Sequence, residues 1–268
     1  MPKIVAGNIE LYYEEHGAGA PLVLIPGFGT GLWIWFKQVP VFSREFRTIV
    51  FDPRGISRSG APDAPITIRT IADDVAALLQ ALQLESAHIL GASFGGFVAQ
   101  EFALWYPEMT RSLTLCCTSF GGAGHVPPSL DTLQAIASTK GLNTEERFRE
   151  NLLLAFSPAF VENNREEVEK AIELRAQNFV PEYAYLHQLQ AALEFNTEQR
   201  VQQILAPTLV LTGDADIIVP MENSLNLAAR IPGAKLVTIK GGSHTFFIEQ
   251  ADEFNAAVIK FIKETKTA

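Results

Sequence analysis

The sequence is poor in cysteine. Only two of its 268 residues are cysteines, and they are neighbours, Cys116 and Cys117, in a strand-like run. Successive side chains of a strand point to opposite faces of a sheet, so these two thiols are not expected to bridge each other. The sequence therefore predicts two buried thiols and no disulfide framework, which is compatible with a reducing compartment.

Long apolar runs are also missing. No segment approaches the roughly 18 uninterrupted apolar residues of a membrane helix, and the apolar run within residues 1–8 is too short for a signal peptide. We therefore expect a cytoplasmic protein without a membrane partner.

Basic residues are in the minority, with 21 Lys and Arg against 30 Asp and Glu, which gives a net charge of -9. Nucleic acids and anionic membrane surfaces bind basic patches, so neither is expected as a partner. No cysteine–histidine ligand cluster indicates a metal, and no organic cofactor is expected. The length and the 47% hydrophobic content favour one domain with a large core, and the oligomeric state stays open.

The most informative pattern is a G-x-S-x-G motif at Gly91–Gly95. A strand-like run at 87–90 precedes it, and a helical pattern at 97–106 follows it. In a nucleophile elbow the chain turns so sharply from strand to helix that the serine is strained and its hydroxyl is exposed. The motif predicts Ser93 as a nucleophile, although a glycine-rich turn can contain the same pattern by chance.

A serine hydroxyl is a poor nucleophile at neutral pH, so it needs a histidine to take its proton and an acid to orient that histidine. Of five histidines, His244 lies in a glycine-rich loop after the strand-like run 234–239, where sites on open sheets are found. The strand-like run 207–212 is followed by Asp214 and Asp216. Either aspartate can be the acid, and either can be a solvated turn residue.

The chain order of serine, acid and histidine is that of the α/β-hydrolases, and from about residue 10 onward the sequence resembles this superfamily. It is similar to small esterases, enol-lactonases and C–C bond hydrolases, whose acid lies in a G-x-x-D-x-x-x-P segment. Gly213, Asp216 and Pro220 match that segment. The resemblance therefore implies a triad of Ser93, Asp216 and His244.

The oxyanion loop of this family usually reads H-G-x-G, and residues 26–29 of this chain read Pro-Gly-Phe-Gly. Backbone N–H groups are the stabilising donors in such loops, so the resemblance implies Phe28 and Phe94 as donors. Pro26, in place of the histidine, is expected to alter the support of the loop more than the donors themselves.

Aromatic residues are concentrated next to these motifs. We predict that Trp33, after the oxyanion loop, and Phe246, after His244, contact an apolar part of the substrate. Core packing is an equal alternative for Trp33 and Phe246, and it is the preferred explanation for the neighbouring aromatic residues Trp35, Phe36 and Phe247.

Strand-like and helix-like patterns alternate along most of the chain, which predicts an α/β fold with a mainly parallel central sheet and helices on both faces. Residues 3–7 and 10–16 predict an antiparallel hairpin at one edge. The predicted buried strands are 21–26, 47–52, 86–91, 111–118, 207–213 and 234–240, and the predicted helices are 68–83, 94–106, 221–231 and 250–263.

The alternation stops in residues 120–202. The resemblance implies a helical cap there, inserted after the sixth buried-strand region and closing over Ser93, with a hydrolase core of residues 1–119 and 203–268. The predicted helical windows are 144–155, 163–178 and 182–195, and the apolar positions expected on the inner face are Leu133, Ile136, Phe148, Leu152, Phe156, Phe179 and Leu186. A helical domain without contact to the site is the alternative.

The predicted function is a serine hydrolase that cleaves a small-molecule carboxylic ester or lactone through an acyl-enzyme. A C–C bond hydrolase would need a cation facing the substrate carboxylate, for which the candidates are Arg54, Arg147, Arg149, Arg165 and Arg175. A cofactor-free perhydrolase would differ in how the oxyanion loop positions peroxide. A small-molecule receptor of this fold would keep the triad and turn over slowly.

Overall fold

The computed structural model describes residues 3–138, 141–142, 146, 149–150 and 154–265. Eight strands form a single sheet in the order β1-β2-β4-β3-β5-β6-β7-β8. Their bounds are β1 Lys3–Ala6, β2 Ile9–His16, β3 Pro21–Ile25, β4 Arg47–Phe51, β5 Ala87–Ala92, β6 Thr110–Cys116, β7 Thr208–Gly213 and β8 Lys235–Ile239.

The sheet is mainly parallel, as predicted. β1 pairs with β2 and β2 with β4 in antiparallel register, whereas each pair from β4 to β8 is parallel. The strands β3, β5 and β7 are buried along their whole length, because helices cover both faces of a parallel sheet. The N-terminal hairpin lies at one edge, which confirms its prediction.

Helices pack on both faces of the sheet. Those outside the insertion are α1 Val39–Phe42, α2 Ile68–Ala81, α3 Phe94–Trp105, α8 Met221–Arg230, α9 Phe246–Glu249 and α10 Ala251–Thr265. One core contains the buried sides of α2 and α3, and the other contains those of α1 and α10. Successive residues of β3 alternate between the two cores, Leu22 in one and Val23 in the other. No described helix is both long and apolar enough to cross a membrane.

The segment between β6 and β7 is helical. The helices of this segment with described bounds are α4 Leu130–Ser138, α5 Pro158–Asn163, α6 Arg165–Ala176 and α7 Glu182–Glu194. The windows 163–178 and 182–195 are confirmed by α6 and α7, whereas α4 and α5 were not predicted. The window 144–155 lies partly outside the described residues.

The two ends of this insertion meet on the core. Gly121 and Asn196 form an isolated antiparallel bridge, and the Thr197 N–H donates to the Phe120 carbonyl at 2.8 Å. The fully buried amide of Gln100 on α3 donates to the Ser119 carbonyl at 2.8 Å, and its oxygen accepts from the Thr197 hydroxyl at 2.8 Å. The insertion therefore leaves and re-enters the core at one point.

The cysteine prediction needs one correction. Both thiols are free and buried, as expected, but they do not point to opposite faces. Cys117 lies past the end of β6 with a φ of 42°, and this left-handed residue brings its Sγ to 3.6 Å from that of Cys116. The strict alternation of a strand does not extend beyond its last residue.

Candidate active site

Ser93 occupies the sharp turn between β5 and α3. Its φ of 53° and ψ of -118° are strained for a residue with a side chain, and surrounding hydrogen bonds hold that conformation. Its N–H donates to the Cys116 carbonyl at 2.8 Å, and its own carbonyl accepts from the Gly96 N–H and the Thr118 hydroxyl, each at 2.8 Å.

Glycines beside Ser93 allow a very close approach of the backbone. A Cβ on Gly91 would lie 2.1 Å from the Gly95 carbonyl oxygen, and a Cβ on Gly95 would lie 2.2 Å from the Ile25 carbonyl oxygen. Side chains at these positions would therefore force α3 away from β3 and β5.

His244 lies in the loop after β8, and its Nδ1 is hydrogen-bonded to Asp216 Oδ2 at 2.8 Å. The other carboxylate oxygen of Asp216 accepts from the N–H groups of Ile218 and Val219, each at 2.9 Å. Asp214 is exposed and instead accepts from the Gly241 N–H at 2.5 Å. The structure thus places Asp216, rather than Asp214, against the imidazole.

Two opposing effects set the pKa of His244. Burial lowers the pKa of the imidazole, but the adjacent Asp216 carboxylate outweighs this effect, and the pKa rises from 6.5 to about 9. An imidazole with a raised pKa keeps its proton at neutral pH more readily than a free histidine does.

The Cys117 thiol lies beside the same pair. One ligand atom from each of Cys117, Asp216 and His244 lies within 4.8 Å of the other two. Thiolate, carboxylate and imidazole are groups that zinc binds. Burial raises the pKa of Cys117 well above its usual value, so the thiol is neutral at physiological pH. A metal would have to ionise this thiol and compete with the hydrogen bond between His244 and Asp216.

Ser93 and His244 line one cavity of about 240 Å³. The walls are Gly27, Phe28, Thr30, Trp33, Ile34, Ala92, Ala155, Phe156, Ala171, Ile218, Thr245, Phe247 and Ile248. A larger cavity of about 400 Å³ shares Trp33 but contains neither Ser93 nor His244. The smaller cavity is therefore the candidate active site.

The predicted oxyanion donors lie beside Ser93. Phe28 lines the cavity, and its ring packs edge to face with that of Phe94 at a centroid distance of 5.9 Å. Phe94 is the first residue of α3, where a backbone N–H has no acceptor within the helix. Phe28 thus shares the cavity with Ser93, and Phe94 follows Ser93 directly in the chain.

Of the two predicted substrate contacts, Trp33 lines the cavity and Phe246 does not. Phe246 is fully buried against Phe254 at a centroid distance of 5.9 Å, and the next residue, Phe247, faces the cavity instead. Adjacent residues of a helix point in different directions, so the phase of the short helix α9 decides which ring is available. The structure therefore places Phe247, for which core packing was the preferred explanation, on the cavity wall in place of Phe246.

The insertion supplies part of the cavity wall through Ala155, Phe156 and Ala171. Of the expected inner-face positions, Phe156 faces the cavity, whereas the exposed side chains of Leu133, Phe179 and Leu186 do not. Phe148, Leu152 and the side chain of Ile136 lie outside the described residues. The small wall residues Ala155 and Ala171 were missed, because alanine gives no sequence signal for a binding site.

The insertion is also bonded to the histidine loop. The residues on either side of His244 both donate to the Ala155 carbonyl, with distances of 2.8 Å from the Ser243 hydroxyl and 3.0 Å from the Thr245 N–H. The alternative of a helical domain without contact to the site is therefore wrong.

The candidate cations lie away from the described walls of the cavity. Arg54 is buried in an ion pair with Asp74, with Nε to Oδ2 at 2.6 Å, and the buried Arg175 donates to the Asn178 carbonyl at 2.7 Å. Neither Arg149 nor Arg165 is a described wall residue, and Arg147 lies outside the described residues. Among the described wall residues there is no Asp, Glu, Lys, Arg, Cys or Tyr, so His244 has the only side chain that titrates in the usual pH range.

Comparison with known proteins agrees with this geometry. Residues 20–251 match the family described as having the alpha/beta hydrolase fold. The protein named "Putative carbamate hydrolase RutD" of Azorhizobium caulinodans is 31% identical over 264 residues, which cover 98% of this chain and 99% of that protein.

Solved structures of other hydrolases are also similar to this chain. A hydrolase from Pseudomonas aeruginosa superimposes with a TM-score of 0.84 at 30% identity, covering 96% of this chain and 97% of its own. A thermophilic esterase from Thermogutta terrifontis superimposes with a TM-score of 0.84 at 27% identity, covering 98% of each chain. The chain therefore belongs to the family of hydrolases with the alpha/beta hydrolase fold.

Proposed function

We propose that this protein is a serine hydrolase that cleaves a carboxylic ester or lactone through an acyl-enzyme. Ser93 Oγ attacks the carbonyl carbon while His244 takes the hydroxyl proton, and Asp216 holds the imidazole in the required tautomer. The N–H groups of Phe28 and Phe94 bind the developing oxyanion. His244 returns the proton to the leaving group, and a water activated by His244 then releases the acid.

The observation that carries this proposal is the hydrogen bond from His244 Nδ1 to Asp216 Oδ2 at 2.8 Å, at the edge of the cavity that Ser93 also lines. This bond fixes one ring nitrogen and leaves the other, Nε2, for proton transfer. The strained serine, the oriented histidine and the buried acid are the three groups that nucleophilic catalysis by a hydroxyl requires.

The walls favour a neutral substrate with an apolar part. Phe28, Trp33, Phe156 and Phe247 supply aromatic surface, and no lysine or arginine lies among the described wall residues. A C–C bond hydrolase acting on a carboxylate substrate would leave that charge unpaired in an apolar cavity, which is costly. The similarity to an esterase supports an ester, and the similarity to a named carbamate hydrolase makes a neutral carbamate a second substrate to test.

We also propose that residues 120–202 act as a lid over the site. Ala155, Phe156 and Ala171 complete the wall, and the Ala155 carbonyl is bonded to both neighbours of His244. Such a cover excludes water, which strengthens the electrostatic interactions of the triad.

Replacing Ser93 with alanine should lower kcat on p-nitrophenyl esters by about 10³- to 10⁶-fold, because the covalent step is lost. The wild-type protein should complete many turnovers per active site, which a slow-turnover receptor would not. Steady-state kinetics and burst amplitude measure both quantities, with circular dichroism as the check on folding. More than about a tenth of wild-type activity in folded Ser93→Ala would contradict the serine mechanism.

The substrate class can be tested with matched aryl esters that differ in charge. A neutral butyrate ester should have a kcat/KM at least about tenfold above that of the hemisuccinate ester of similar length, because the anionic end would be desolvated without a partner. An enol-lactone, a vinylogous diketone, an aryl carbamate and a peroxide-dependent assay complete the panel. A preference for the anionic ester or the diketone would favour C–C bond hydrolysis.

Asp216→Asn should lower kcat by about 10³- to 10⁴-fold, because the amide stabilises the wrong tautomer of His244. Asp214→Asn is the matched control, and its exposed turn should tolerate the change within about threefold. Equal, mild effects in both variants would remove Asp216 as the acid.

The raised pKa of His244 predicts the direction of the pH dependence. Only the neutral imidazole accepts the serine proton, so kcat/KM should rise with pH above 6.5 and level off near the pKa of about 9. In Asp216→Asn the residual activity should level off at lower pH, because burial still lowers the pKa of His244 and the Asp216 carboxylate no longer raises it. A wild-type profile that is flat from about pH 6 to 8 would show that the folded-state pKa is not raised.

A further inference from the structure

A cap residue reaches the candidate oxyanion loop. Gln188 lies on α7, is buried with 1% of its surface exposed, and accepts from the Gly29 N–H through Oε1 at 3.0 Å. Gly29 directly follows Phe28, so the bond fixes the peptide plane next to the proposed oxyanion donor. It connects two segments that are distant in the chain, the insertion and the turn after β3.

The same helix makes a second contact with this loop. Tyr185 lies one turn before Gln188, and its ring packs edge to face on that of Phe28 at a centroid distance of 4.6 Å. Gly29 has a φ of 61°, and a Cβ there would come within 3.6 Å of the Tyr185 ring. Residues three apart lie on one face of a helix, so α7 contacts the loop through a single surface.

The hydrogen bonds within the candidate oxyanion loop do not replace the support that α7 gives it. The Gly27 carbonyl accepts from the Thr30 N–H at 3.3 Å and from the Thr30 hydroxyl at 2.8 Å. These two bonds close the turn on itself without connecting its tip to another element. Pro26, at its start, has neither an N–H nor a polar side chain with which to anchor it.

We propose that Gln188 is a positioning residue for catalysis: it holds Gly29 so that the Phe28 N–H points at the oxyanion. The inference rests on the proposed serine mechanism and deepens it, because it assigns part of the transition-state stabilisation to the insertion. Oxyanion donors act only when they are held close to their productive position, and a lost donor costs about 10²- to 10³-fold in kcat. Loss of a support that acts through the donor should cost less.

The test replaces Gln188 with methionine, which keeps the length of the side chain and removes the acceptor. We expect kcat on a p-nitrophenyl ester to fall by about 10- to 30-fold while KM changes by less than about threefold. Binding of a trifluoromethyl ketone, whose serine adduct carries an oxyanion, should weaken by the same factor as kcat/KM. Gln190→Met is the matched control on the exposed face of α7, and it should change each constant by less than about twofold.

Two further variants keep the result interpretable. Gln188→Glu retains an acceptor oxygen at the same reach, and burial should keep its carboxyl protonated, so this variant should recover most of the rate lost in the methionine variant. Gln188→Asn is too short to reach Gly29 and should reproduce the kinetic defect if the methionine variant does not fold.

The outcomes separate the two proposals. A higher KM with unchanged kcat, or no change in either constant, would overturn the role of Gln188 while leaving the serine mechanism in place. If the wild-type protein neither turned over esters nor bound the trifluoromethyl ketone, the serine mechanism itself would fail, and the role of Gln188 with it.

Discussion

The crowding of backbone around Ser93 is the constraint on which the rest of the site depends. Gly95 lies against the last carbonyl of β3, so the position of α3 is set by the strand from which the candidate oxyanion loop begins. The Ser93 N–H is bonded to the last residue of β6, from which the insertion begins. The strained residue Ser93, the candidate nucleophile, is therefore connected to both segments that surround the candidate cavity. The hydrogen bonds and close packing of its neighbours offset the strain.

Features that only a few residue types can satisfy were predictable from the sequence. A strained serine with backbone packed on both sides requires glycine at fixed positions, and a strand buried on both faces requires a continuous apolar run. The elbow, the segments that form the parallel strands and the N-terminal hairpin could therefore be predicted. The placement of His244 on a loop after a strand followed from the same pattern, because sites on open sheets lie at the carboxyl ends of strands.

Features that depend on orientation within a few residues were not predictable. Asp214 and Asp216 both follow β7, so position alone left both open; the family resemblance implied Asp216, and the fold shows that its carboxylate is the one at His244. The choice between Phe246 and Phe247 depends on the phase of a four-residue helix, too short to show a period in the sequence. The hydrogen bond between the Gly29 N–H and Gln188 joins elements whose relative position depends on tertiary packing, so no local sequence pattern predicts it.

The shared entry and exit point of the insertion has an evolutionary consequence. Phe120 and Thr197 are bonded to each other, so one junction on the core holds both ends of the insertion together. Longer segments raise the entropic cost of loop closure only slowly, so parts of the insertion that do not contact the site can be lengthened or shortened with little penalty to the core. Selection can therefore change the wall residues that the insertion supplies, and with them the chemical preference of the cavity, while it keeps the contacts of Ala155 with the histidine loop and of Gln188 with Gly29.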